Sequence, residues 1–195
     1  AQCVRALQVN GVKPGDGPIA VTGATGGVGS FAVRLLSHAG FDVHAITGKH
    51  DVAESLRRLG ASEVHDRAKL GDHPKRPMLS ATWAGGIDTV GGSMLTALLK
   101  STQVGGCVSA CGLVAGDDLP LTVYPFILRG VTLAGVTSAS CSRSVREWVW
   151  DQLATHWKIQ LPDELVHEKK LDSLANAITD ISNGQVFGRV IVDLR

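Results

Sequence analysis

Only one tyrosine, Tyr124, occurs among the 195 residues, and the residue four places beyond it is Leu128. A phenol tuned toward neutrality by a lysine one helical turn away is therefore not available as an acid or base. Charge of one sign is also lacking: 19 Lys plus Arg stand against 18 Asp plus Glu, with no basic block interleaved with aromatics. That balance excludes the electrostatic footprint of a nucleic-acid partner. No apolar run approaches the ~20 residues needed to cross a bilayer, and no charged and apolar leader precedes the first strand, so a soluble cytoplasmic protein is expected. The four cysteines (Cys3, Cys107, Cys111, Cys141) lack metal-ligand or disulfide spacing. Cys107 and Cys111 fall on one predicted strand, which separates them by roughly 13 Å against a limit of ~7 Å for a bridge. Both read as small core residues. The seven histidines are dispersed without an HxH or HxxxH pair, so no metal is expected.

What the chain does have is Ile19-Ala20-Val21-Thr22-Gly23-Ala24-Thr25-Gly26-Gly27-Val28-Gly29, an apolar strand ending in a glycine-rich turn that opens into a helix. Small residues there let the main chain approach a pyrophosphate, and the helix N-terminus offers unpaired N–H groups and partial positive charge. A dinucleotide is the expected ligand. Such a fingerprint is weak alone, so its surroundings carry the argument. Val28, Phe31, Ala32, Leu35, Leu36 and Ala39 fall at helical spacing on one apolar face, and Gly40 follows. A second strand at Phe41–Thr47 completes a strand–helix–strand unit.

The first ten residues read as the end of a helix already in progress, with Val4, Leu7 and Val9 apolar, and suggest a piece of a longer protein. Asp51-Val52-Ala53-Glu54 has capping-box form and Gly60 stands at the far end, which predicts a helix between them. A short strand at Glu63-Val64-His65 is followed by a polar, proline-containing stretch from Lys69 to Pro77. Further strands are expected at Gly86–Val90 and Val104–Cys111, with a helix marked by Met94, Leu95, Leu98 and Leu99 between them. Past Leu119 the reading gives a helical turn at Pro125–Arg129, a strand at Val131–Thr137 and a helix from Ser142 to Trp157, with Trp150, Leu153 and Trp157 as packing residues. The tail from Leu171 carries a helix with Leu174, Ile178 and Ile181 inward, then a last strand at Gly188–Val192. Alternating strands and helices with continuously apolar strands predict an α/β fold, a doubly wound parallel sheet of Rossmann type.

Ligands of such sheets sit beyond the carboxyl ends of the strands. The second strand ends in Thr47-Gly48-Lys49, where an NAD site would place Asp or Glu against the ribose 2′-OH. A hydroxyl, main-chain amides and a lysine suit a 2′-phosphate instead, which favours NADP(H). The first acid, Asp51, is assigned to the capping box.

The turn fits two nicotinamide families, the TGxxxGxG form of short-chain dehydrogenases and the AxGGVG form of zinc-independent medium-chain reductases. The missing Tyr–Lys pair removes the first. Gly86-Ile87-Asp88-Thr89-Val90-Gly91-Gly92, Gly105-Gly106-Cys107-Val108, Ala110-Cys111-Gly112-Leu113, Pro125-Phe126-Ile127-Leu128-Arg129-Gly130-Val131 and Gly188-Arg189-Val190 together resemble the acryloyl-CoA reductase and quinone oxidoreductase branch of the medium-chain dehydrogenase/reductase superfamily. The resemblance runs from Val4 to the end of the chain.

That resemblance implies a two-lobe subunit in which a barrel-like catalytic lobe precedes the dinucleotide domain. Residues 1–157 would be the Rossmann domain, and 158–195 a return segment whose helix and strand join the first lobe, absent here. It further implies that Thr25, Gly26, Gly27 and Val28 hold the pyrophosphate, that Arg67 joins Thr47, Gly48 and Lys49 at the 2′-phosphate, and that Leu113, Ile127 and Ser138 line the nicotinamide side. The family usually has Arg at the position of Lys49 and Ser at that of Thr25. Gly184 replaces a usual Asn, leaving a main-chain contact. The implied reaction is hydride transfer from NADPH to the C=C bond of an acryloyl-CoA-like enoyl thioester, or to a quinone. The positioning groups would lie in the other lobe, so no catalytic residue is named. The partners expected are a small-molecule substrate, no nucleic acid and no membrane, with pairing of Val131–Thr137 between two subunits as the route to a homodimer. A non-catalytic NADPH-binding module or truncated redox sensor is the alternative.

Overall fold

The computed structural model describes residues 1–49, 51–70 and 76–195. Of the polar stretch from Lys69 to Pro77, residues 71–75 lie outside the described residues. Six strands form one sheet: β1 (Ile19–Thr22), β2 (Val43–Thr47), β3 (Glu63–Asp66), β4 (Trp83–Asp88), β5 (Thr102–Ala110) and β6 (Thr132–Gly135). Their order is β3-β2-β1-β4-β5-β6 and every pairing is parallel. The order reverses between β1 and β4, which creates the crevice where such sheets take ligands. All residues of β1 and β4 are buried, as strands covered on both faces must be.

Helices α1 (Gln2–Val9), α2 (Gly27–His38), α3 (Ala53–Arg58), α4 (Arg67–Leu70), α5 (Gly92–Lys100), α6 (Tyr124–Arg129) and α7 (Arg143–Ala154) accompany the sheet. Two apolar clusters result: Val4, Leu7, Ile19, Val21, Leu35 and Leu36 lie in one, and Ile46, Met94, Leu98, Leu99 and Val108 in the other. Each fully buried aliphatic side chain contributes about 1.5–3 kcal/mol of transfer free energy. The chain then adds β7 (Val166–Lys170), α8 (Leu174–Ser182) and β8 (Arg189–Asp193), with β7 and β8 paired in parallel as a separate two-stranded sheet. No helix among the described residues is long and apolar enough to cross a membrane.

Several expectations need correcting. Helix α3 begins later than the capping box requires: its N-cap is Val52, without a side-chain cap, and Glu54 pairs instead with Arg57 at 3.7 Å. The N-terminal apolar positions are Cys3, Val4 and Leu7, while Val9 is exposed at the helix end. Val28 is half exposed because it opens the helix at the turn rather than beneath the sheet. Cys107 is buried, but Cys111 lies beyond β5 and is exposed. In α7 Val149 and Leu153 pack toward the core with the following Trp157, as expected for Leu153 and Trp157, and Trp148 stands edge-on to Trp157 at 5.3 Å, whereas Trp150 is exposed. In α8 the buried position is Ala177, and Ile178 and Ile181 face outward because the two-stranded sheet covers only a narrow stripe. The last strand does not lack a partner within the chain. It pairs with β7, whose sequence Val-His-Glu-Lys-Lys carries no apolar alternation to announce a strand.

Candidate functional site

The turn after β1 is held by its own backbone. Gly26 N–H donates to Gly23 O at 2.9 Å, Ser30 N–H donates to Gly26 O at 2.9 Å, and Gly26 caps α2 in an extended conformation. A Cβ on Gly29 would come 2.2 Å from Gly23 O, so no other residue allows helix and turn to approach this closely. The amides at Gly27 and Val28 lie in the first helical turn, where no carbonyl four residues back within the helix can accept from them. They provide donors and positive potential for a pyrophosphate. The residues present fit that group.

At the switch point, Thr22 Oγ1 donates to Asp88 Oδ1 at 2.6 Å, tying β1 to β4. Asp88 is fully buried and accepts further from Gly91 N at 2.8 Å and Val90 N at 3.3 Å. Burial pushes its carboxyl above the usual carboxylate range, against the pull of these three donors. The network fixes the loop after β4. Beside it, Gly112 and Leu113 pack against Thr89 and Gly91 so closely that a Cβ on Gly91 would sit 3.0 Å from Leu113 Cα.

Thr47, Gly48, Lys49 and Arg67 meet at the carboxyl ends of β2 and β3. Thr47 is buried and its hydroxyl accepts from Lys49 N at 3.1 Å. Arg67, which opens α4, crosses directly over Gly48: a Cβ there would come 2.5 Å from its Nε. Lys49 Nζ donates to Val186 O at 2.7 Å, and burial lowers its pKa, partly opposed by Asp51. An ammonium has three donors, so two remain for another acceptor. Asp66 stands in register with Thr47 and turns its Oδ1 to Ala68 N at 2.9 Å, capping α4.

The segment before β8 borders both groups. Gly188 N–H donates to Thr25 O at 2.9 Å and Gly188 bridges to Gly26, while Arg189 lies against Gly27. Val186, Gly188 and Arg189 were not candidates from the sequence, although Gly188-Arg189-Val190 stood out there as a motif. Gly184 ends α8 with φ +67°, and Gln185 N–H donates to Asp180 O, a helix-terminating role. Ile127 is exposed on α6, and Ser138, past β6, gives its carbonyl to Arg146 at 3.3 Å. Among the described residues no hydrogen bond joins the side chains of Ile127 or Ser138 to the other candidates.

On the far side of α2's first turn, Val28, Phe31 and Ala32 line a cleft of about 160 Å³ with Cys3 and Arg189. Cys3 interacts with Cys111, distant in sequence, whose own thiol donates to Asp88 O at 3.6 Å; this neighbour draws the Cys3 thiol down to about 7 against the effect of burial. The same contact and burial push Cys111 up.

The sequence profile described as zinc-binding dehydrogenase matches residues 27–155. Acrylyl-CoA reductase AcuI of Ruegeria pomeroyi is 41% identical over 191 residues, covering 98% of this chain and 58% of that protein. The structure of YhdH from E. coli K-12 with bound NADPH superposes with a TM-score of 0.92 at 42% identity, covering 100% of this chain and 59% of that one. Bacillus subtilis YhfP, with NAD bound, superposes with a TM-score of 0.91 at 43% identity, covering 99% of this chain and 59% of that one. The chain thus spans little more than half the length of these relatives.

Proposed function

Because the chain belongs to the zinc-binding dehydrogenase family, we propose that it is the NADP(H)-binding domain of an oxidoreductase that reduces the C=C bond of an acryloyl-CoA-like enoyl thioester, or a quinone. The observation that carries the cofactor choice is the corner at the end of β2, where Thr47, Gly48, Lys49 and the overlying Arg67 meet. A buried hydroxyl and two cations recognise a 2′-phosphate there. The turn of Thr25, Gly26, Gly27 and Val28 takes the pyrophosphate, Val186 reaches the phosphate corner through Lys49, and Gly184 offers its main chain to the cofactor.

When bound, NADPH supplies hydride to the substrate. The chain's own work is to hold the diphosphate against the first turn of α2 and to direct the nicotinamide toward the loops bearing Leu113, Ile127 and Ser138. In this reading residues 158–195 complete a second lobe, hydride transfer needs no catalytic zinc, and the protein acts in the cytoplasm as a homodimer joined along β6. Since YhfP carries NAD in its crystal structure whereas YhdH carries NADPH, cofactor choice is the sharp point. Titration with both nucleotides tests it: NADPH binds at least tenfold tighter than NADH, and Arg67→Ala weakens NADPH by roughly 10- to 100-fold, the range of a charged hydrogen bond, with NADH unchanged. NADH binding as tightly as NADPH overturns the assignment. NADPH binding without turnover of enoyl thioester or quinone, by the protein that carries this chain, would favour the non-catalytic module.

A further inference from the structure

Parallel pairing of β2 with β3 places His44 and His65 side by side, although 20 residues separate them in the chain. His65 Nε2 lies 3.0 Å from His44 Nδ1 and 3.4 Å from Glu63 Oε2, and the three ligand atoms all fall within 4.8 Å of one another. We propose that His44, Glu63 and His65 form a binding site for a zinc-class divalent transition-metal ion.

The spacing matches the coordination chemistry. Zinc–ligand bonds of about 2.0–2.1 Å at tetrahedral angles put neighbouring ligand atoms about 3.3 Å apart, and the two short separations here bracket that value. Two imidazoles with one carboxylate suit a borderline ion such as zinc rather than the oxygen-seeking magnesium or calcium. Both rings are already oriented. Trp83, buried beneath them, stands edge-on to each at 5.4 Å, and the rings lie 5.0 Å apart.

A carboxylate stands within reach of the second nitrogen of His44. His44 Nε2 faces Asp42 Oδ2 at 3.7 Å, and Asp42 accepts from the Ser62 hydroxyl. A ligating histidine commonly turns its second nitrogen to a carboxylate, which fixes the tautomer. With the His44 proton on Nε2, its Nδ1 lone pair points into the site, where His65 Nε2–H donates to it. Binding of the ion needs only that the His65 proton move to the far nitrogen of the same ring, so both imidazoles bind as neutral ligands. Glu63 is 62% exposed and free to swing onto the ion. Three protein ligands leave a fourth position for water.

The test uses untagged, chelator-treated protein titrated with zinc in competition with a chromophoric chelator, and with cobalt(II) for its visible ligand-field absorption. One ion binds per chain, and cobalt gives a tetrahedral spectrum. His44→Asn and His65→Asn each weaken zinc binding by roughly 100-fold or more, and Asp42→Asn by about tenfold. Glu63→Gln, at an exposed position, weakens it while leaving the fold and NADPH affinity unchanged. Absence of saturable zinc uptake by the wild-type protein, or uptake undiminished in both Glu63→Gln and His44→Asn, overturns the proposal.

Discussion

The six-stranded sheet and the β7–β8 pair are both all-parallel, yet they are held by different physics. In the large sheet β1 and β4 are buried at every residue and helices cover both faces. In the small one, β7 is exposed at four of five positions, and Ile178 and Ile181 of α8 are more than half exposed. Leu165 and Phe187, which flank the small sheet, pack into the main core, and Gly188 to Thr25, Lys49 to Val186 and Arg58 to Glu164 add polar ties. Most of the buried apolar surface lies in the first region, whereas the second contributes position, because its ties end beside the glycine turn after β1.

Truncating one aliphatic side chain in each region should give the widest separation. Leu36→Ala in the large core should cost about 2–5 kcal/mol, and Ile191→Ala, half exposed in β8, under about 0.5 kcal/mol. Denaturant unfolding measures both, and equal losses would erase the distinction. A smaller effect on stability, with a direct effect on function, is expected at the turn. Gly29→Ala forces a Cβ against Gly23 O, costing about 1–3 kcal/mol and at least tenfold in nucleotide affinity. Native nucleotide binding by this variant would show that the turn does not need its close approach.

The smallest effect concerns Cys3. Its thiol, drawn by Cys111 from the ordinary 9.0 down to about 7, is a thiolate in the folded protein between those values, while the unfolded chain keeps the proton. The unfolded state then binds more protons, so this group makes stability rise from pH 7 to 9 and its contribution is lost as pH falls through 7. Cys111→Ala should flatten that slope relative to wild type and move the midpoint of Cys3 alkylation up toward 9. A midpoint near 9 in both proteins would contradict the pairing.

Much of the large sheet was legible because burial on both faces writes itself into local sequence. Continuous apolar runs, helical spacing in α2 and the glycine turn each depend on residues within about ten positions of one another. Thr47, Gly48 and Lys49 are read as candidates in the same way, from their place after a strand. The rest was not local. β7 carries no apolar alternation, and Asp51 has the right identity for a cap that the helix start does not use. Trp150 and Ile178 keep helical spacing while facing solvent, since spacing fixes a shared face and not what covers it.

By itself the sequence determined the strand–turn–helix with free amides at the helix start, the parallel alternation and the absence of a Tyr–Lys acid. Only the tertiary structure decided that Arg67 lies over Gly48, that Gly188 ties to Thr25, that Cys3 meets Cys111 and that His44 faces His65. The physical reason is the same in each case: these contacts join elements remote in the chain, and parallel register together with packing, neither encoded in a short window, sets which side chains meet.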